Sequence, residues 1–130
     1  MQTKHRVLCA DDHEDTCFLL ATLLGSAECE VTTAGGTAEV KRAVSGGRFD
    51  LVVLDNRFAD GSGVELCRWV REQSPQTPVI FYSGAVMESD RERGLSAGAA
   101  AYVSKPDIAG LLDAVNRLLR REESGATSAA

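Results

Sequence analysis

Apolar and polar positions alternate along this chain between a strand-like and a helix-like period. Residues 6–10 are predicted as a buried strand, in which Val7-Leu8-Cys9-Ala10 ends at the adjacent acids Asp11 and Asp12. From Glu14 to Ser26, Cys17, Phe18, Leu20, Ala21 and Leu24 recur at helical spacing, and Gly25 stands near the expected stop. A short strand is expected over 29–33. A weaker helix follows over Ala38 to Ser45, with Val40 and Val44 on one face and Gly46-Gly47 behind it. Residues 49–54 form the clearest strand, and continuous β-branched apolar residues of this kind suit the centre of a parallel sheet. Ser62 and Glu65 match a capping box, and Val64, Cys67 and Val70 supply the inward stripe of the helix it opens.

Pro75 and Pro78 bracket a turn before the strand Val79-Ile80-Phe81-Tyr82. The next helix, Val86 to Ala97, is poorly amphipathic, charged from Glu88 to Arg93 and interrupted by Gly94. Ala101 to Ser104 is a last strand. The final helix has the best pattern, with Ile108, Leu111, Leu112, Val115, Leu118 and Leu119 on its inner side. The stretch 122–130 is small and polar and is expected to be a flexible tail or linker stub. Trp69 and Phe18 are expected in the core rather than as ligand platforms.

Five strand–helix units imply one α/β domain, an open parallel sheet with helices on both faces. Ligands of such sheets bind beyond the carboxyl ends of the strands. Asp11, Asp12, Asp55, Ser83 and Lys105 all fall at or just past strand ends. Three gathered carboxylates repel one another and need a compensating cation, for which Mg²⁺, a hard oxygen-seeking ion, is suited. A pocket that holds Mg²⁺ among acids is also one that can accept a phosphoryl group.

Composition narrows the partners. The chain has 130 residues, 44% hydrophobic and 25% charged, which is a globular balance. Acids outnumber bases 19 to 14, for a net charge of −5, which opposes nucleic-acid binding by this segment. No apolar run approaches the roughly 20 residues of a membrane span. The basic start is cut short by Asp11 and is no signal peptide, so a cytoplasmic location is expected. Cys9, Cys17, Cys29 and Cys67 have no zinc-site spacing and are expected as free, mostly buried thiols.

Several motifs together resemble a known family. They are Asp11-Asp12 after the first strand, residues 54–63 around Asp55, Ser83-Gly84 after the fourth strand, and Ser104-Lys105-Pro106 after the fifth. In this order and at these intervals the chain resembles a response-regulator receiver domain of two-component signalling, of the chemotaxis-regulator kind, over residues 5–121. The resemblance implies a flavodoxin-like, doubly wound parallel sheet of five strands, order 2-1-3-4-5, with five helices. It implies that Asp55 accepts a phosphoryl group from a sensor histidine kinase or a histidine phosphotransfer protein. Asp12, Asp55 and the backbone carbonyl of Arg57 would bind Mg²⁺, with Asp11 acting through water. Lys105 would neutralise phosphoryl charge, Ser83 would turn its hydroxyl to the new phosphate, and Gly84 would leave a gap for it. Lys105-Pro106 would be cis. Ser83 and Tyr102 would form a switch that Tyr102 completes by turning inward, read by a downstream protein or a fused output domain.

Three positions depart from the family pattern. Ala59 replaces a common proline, and Asn56 and Phe58 replace more usual aliphatic residues. Arg57 is expected to tune the lifetime of the acyl phosphate. A haloacid-dehalogenase-type phosphatase would need an aspartate where Arg57 stands. A flavodoxin-type carrier would meet repulsion between its phosphate and Asp11, Asp12, Glu14 and Asp15. A receiver-like interaction module that works without phosphorylation is the remaining alternative.

Overall fold

The computed structural model describes residues 4–26 and 28–128, with side chains described through Arg120. Strand β1 (His5–Ala10) leads to helix α1 (Glu14–Leu24), β2 (Cys29–Ala34), α2 (Thr37–Gly46) and β3 (Leu51–Leu54). Two short strands, β4 (Arg57–Phe58) and β5 (Gly61–Ser62), precede α3 (Gly63–Gln73). Then come β6 (Val79–Ser83), α4 (Glu88–Ser96), β7 (Ala101–Ser104) and α5 (Ile108–Ser128).

The main sheet has the order β2-β1-β3-β6-β7, and every neighbouring pair is parallel. This is the expected five-stranded flavodoxin-like arrangement, with β6 and β7 as its fourth and fifth strands. The added pair β4–β5 is a small antiparallel hairpin, with Arg57 opposite Ser62 and Phe58 opposite Gly61. Helix α5 continues into the stretch 122–130, expected as a flexible tail, as far as Ser128; residues 129 and 130 lie outside the described residues.

Alternation along buried strands sends successive side chains to opposite faces. Leu8, Val52, Leu54 and Phe81 meet Val40, Val64, Cys67 and Val70 of α2 and α3 on one face. Val7, Cys9, Leu51, Val53 and Ile80 meet Leu20, Leu24, Leu111, Val115 and Leu119 of α1 and α5 on the other. Continuous apolar runs are therefore what a sheet covered on both faces requires.

Local chemistry sets the element ends. Ser62 Oγ accepts the Glu65 N–H at 3.3 Å and so caps α3. Helix α2 has Gly36 at its N-cap and no capping side chain of its own. Asp60 supplies one across the loop, its carboxylate accepting the N–H groups of Thr37 (2.8 Å) and Ala38 (3.2 Å). Those backbone bonds hold the Asp60 carboxyl below its ordinary pKa. Strand β3 begins at Leu51 rather than 49, because the Phe49 carbonyl accepts the Thr77 hydroxyl (2.9 Å) instead of joining a ladder.

Phe18 corrects an expectation. It is 75% exposed, not core. Helix α1 buries Leu20 and Leu24, and Phe18 lies about 200° around the helix from Leu20. Leu19 and Leu23 are exposed beside it. Trp69 is partly buried against the core, with the Lys41 ammonium over its ring at 5.6 Å.

All four cysteines are free thiols; Cys9 and Cys67 are buried, while Cys17 and Cys29 are half-buried. Burial raises the Cys9 thiol to about 12 and the Cys67 thiol to about 11. Ellman's reagent at pH 8 should therefore leave these two untouched in the native protein and titrate all four in urea. Rapid native labelling of either would contradict the packing. Above the ordinary thiol pKa of 9.0 the unfolded chain releases protons that the folded chain keeps. Stability accordingly declines on the alkaline side.

Candidate functional site

The carboxyl end of the sheet gathers the predicted acids. Register pairs Ala10 with Leu54, so Asp11 and Asp55 leave adjacent strands side by side. The Asp55 N–H donates to the Ala10 carbonyl (3.2 Å), and the Asp11 N–H donates to the Ala34 carbonyl (3.0 Å). Both residues are thus held by backbone, and both are buried.

Lys105 enters from the far side of the sheet, one residue past β7. Its Nζ donates to Asp11 Oδ2 at 2.6 Å and to Asp55 Oδ2 at 3.3 Å. Burial alone would lower the Lys105 pKa, but hydrogen bonds and charge from Asp11 and Asp55 outweigh it and hold the ammonium above 10.5. The Lys105–Pro106 peptide is cis, as the family resemblance implied.

Asp11, Asp12, His13 and Asp55 each offer a ligand atom, and these atoms lie within 4.8 Å of one another. Three carboxylates against one ammonium leave an excess of negative charge. An oxygen-dominated donor set of that kind fits a hard divalent cation. The exposed His13 ring lies 3.0 Å from Asp11 Oδ1 and 3.2 Å from Asp12 Oδ1. Hydrogen bonding to Asp11, and then the charges of Asp11 and Asp12, raise its pKa. Asp12 also accepts the Ala59 N–H at 3.0 Å, which ties the loop after β3 to the loop after β1.

The remaining predicted residues sit around this cluster. Ser83 is buried at the end of β6, and its Oγ accepts the Ala85 N–H at 3.1 Å. Gly84 faces open space, since a Cβ there would meet nothing within 4 Å. Arg57 is exposed at the start of the hairpin. With Phe58, Arg68 and Arg93 it lines a groove that also takes in Asn56 and Ala59. Tyr102 is buried, its ring beside Phe81 with centroids 5.4 Å apart.

Two features went unseen in the sequence. Asp60 as the cap of α2 carries no signal, because it lies 23 residues from Thr37, where the helix begins. The buried Asn56 reaches Tyr102 by a side-chain hydrogen bond of 2.9 Å. Its only trace in the sequence is a polar residue where an aliphatic one is usual.

Comparison with known proteins agrees with this geometry. The family model described as "Response regulator receiver domain" matches residues 7–116. The transcriptional regulatory protein PrrA of Mycobacterium tuberculosis is 38% identical over 127 residues, 97% of this chain and 54% of that protein. The response regulator protein PilR of Pseudomonas aeruginosa is 30% identical over 119 residues, 91% of this chain and 27% of that protein. The chain therefore spans about half or less of these relatives. Among solved structures, the receiver domain of the Francisella response regulator 1452 superposes with a TM-score of 0.84 at 28% identity, covering 92% of this chain and 99% of that one. Among the described residues no helix is long and apolar enough to cross a membrane. The family model covers most of the chain, and the chain belongs to the response regulator receiver domains of two-component systems.

Proposed function

We propose that Asp55 accepts a phosphoryl group from the phosphohistidine of a sensor histidine kinase or a histidine phosphotransfer protein. The observation that carries this reading is the Lys105 ammonium shared between Asp11 and Asp55, at the mouth of an acid cluster. An Asp55 carboxylate oxygen attacks phosphorus, the P–O bond forms, and the P–N bond breaks. Its electron pair returns to the imidazole nitrogen of the donor.

Asp12, Asp55 and the Arg57 backbone carbonyl would hold Mg²⁺, with Asp11 acting through water. Bound there, the ion supplies positive charge to the phosphoryl oxygens. Lys105 offers a second cation to those oxygens. Gly84 leaves their approach open, and Ser83 lies ready to donate its hydroxyl. The phosphoryl group adds roughly −1.5 to −2 charges. Ser83 and Tyr102 would pass that change to a face formed by α4, β7 and α5, which a downstream protein or a fused output domain reads.

The test is incubation with Mg²⁺ and acetyl phosphate, read by intact mass. A labile gain of one phosphate is expected in the wild type and none in Asp55→Asn. No gain in folded wild type under donor excess would favour the module that works without phosphorylation.

Arg57, exposed two residues after Asp55, would tune the lifetime of the product by shielding or engaging it. Arg57→Ala should change the half-life of the phosphorylated protein; an identical half-life would remove this role.

A further inference from the structure

We propose that Asn56 is a positioning residue that holds Tyr102 inward in the free domain, before any phosphoryl group arrives. This rests on the reading of Tyr102 as part of the switch.

Asn56 is itself fixed from three sides. Its backbone N–H donates to Asp55 Oδ1 at 2.7 Å, and its carbonyl accepts the Gly63 N–H at 2.7 Å. Its side-chain Nδ2 donates to the Tyr102 hydroxyl at 2.9 Å. That hydroxyl spends its single proton on the Ala85 carbonyl, at 2.6 Å. The partner on the other side must therefore be a donor, which settles the orientation of the Asn56 amide. Ala85 in turn donates its N–H to Ser83 Oγ. A continuous path of hydrogen bonds and backbone runs from Asp55 through Asn56, Tyr102 and Ala85 to Ser83.

The seat for the ring is built as well. A Cβ at Gly94 of α4 would lie 2.8 Å from Tyr102 Cδ2 and 3.0 Å from Phe81 Cδ2. The helix rests directly on the ring because position 94 has no side chain. Turning Tyr102 outward would empty this seat and strip a buried amide of its partner. An aliphatic residue at position 56 imposes no such penalty, because it has no donor to orphan. The outward state is thus disfavoured here by chemistry specific to Asn56, and phosphorylation would stabilise a position the ring already occupies.

The chain has two tyrosines, Tyr82 and Tyr102, and two asparagines, Asn56 and Asn116, so both partners can be observed in the full chain. In protein labelled with 3-fluorotyrosine, Tyr102→Phe assigns the fluorine signals. The free wild type should show one Tyr102 signal, insensitive to exchange of H₂O for D₂O and little moved by Mg²⁺ with beryllofluoride. In Asn56→Leu the signal should shift toward the solvent-exposed position in the free protein and return when beryllofluoride is added.

A second measurement covers the case of a poorly folded leucine variant. In unlabelled Tyr102→Phe, hydrogen exchange of the Asn56 side-chain amide should rise about tenfold, with Asn116 unchanged. The proposal is overturned if the free wild-type signal is already exposed, if it is unchanged in folded Asn56→Leu, or if amide exchange is unchanged in Tyr102→Phe. Failure of the phosphoacceptor reading would appear separately, as no phosphate gain by mass in the wild type while these free-protein signals behave as described.

Discussion

Replacing Lys105 with alanine should slow phosphate gain from acetyl phosphate by about 10²–10³-fold, the scale seen when one preorganised charge-stabilising donor is lost. The same substitution should cost stability. Asp11 has a side chain only 2% exposed, and its closest cationic partner is the Lys105 ammonium at 2.6 Å. Removing one member of a buried pair costs about 3–5 kcal/mol, because the other charge stays buried. Lys105 is 23% exposed, so solvent screens part of this, and about 2 kcal/mol is expected at neutral pH.

The sign of the pH dependence follows from the raised Lys105 pKa. Its contribution is fully present below 10.5 and is lost as pH rises through the higher folded value. Urea melts of wild type and Lys105→Ala should thus differ near neutrality and converge in strong alkali. Equal stabilities at pH 7 would show that Asp11 has another source of compensation.

Gly63→Ala should be the most damaging small substitution in the domain. Gly63 opens α3 directly behind the loop that carries Asp55. An added Cβ would collide with the Asp55 carbonyl oxygen, and would stand 2.7 Å from the Asn56 carbonyl oxygen and 2.8 Å from its carbon. All of these are backbone atoms, so no rotamer change relieves the contact. Either α3 lifts away or the loop moves, and the loop holds the reactive carboxylate. A loss of about 3 kcal/mol or more is expected in urea denaturation. The folded fraction should also take up phosphate more slowly than wild type. A loss below about 1 kcal/mol would mean that the start of α3 yields more easily than its contacts imply.

The parallel sheet and the gathered acids were legible in the sequence because each depends on local period or on strand ends, whereas the strand order came from the family resemblance. Val7 to Ala10 and Leu51 to Leu54 are buried throughout, as runs without alternation predict. Helix α1 shows where period fails. With Cys17, Phe18, Leu19, Leu20, Ala21, Leu23 and Leu24 it is apolar almost all round, so spacing cannot choose the buried face. Phe18 was placed on the wrong side for this reason.

The Asn56–Tyr102 and Asp60–Thr37 contacts escaped for another reason. They join residues 46 and 23 positions apart, through a few hydrogen bonds that leave no periodic trace. The family resemblance implies a Tyr102 that turns inward, and in the free chain the ring is already buried. Its partner Asn56 directly follows Asp55 in the chain.

The pairing of Ala10 with Leu54 has a consequence for how this domain tolerates change. The spacing of Asp11 and Asp55 is set by backbone register, not by the shapes of the side chains beneath them. Volume-conserving exchanges at Val7, Leu8, Val52 or Val53 would loosen the core while leaving the two carboxylates in place. A slip of one residue would turn every side chain of a strand over and separate the acids at once. The pocket is insulated from gradual drift in its own foundations and exposed only to a change of register.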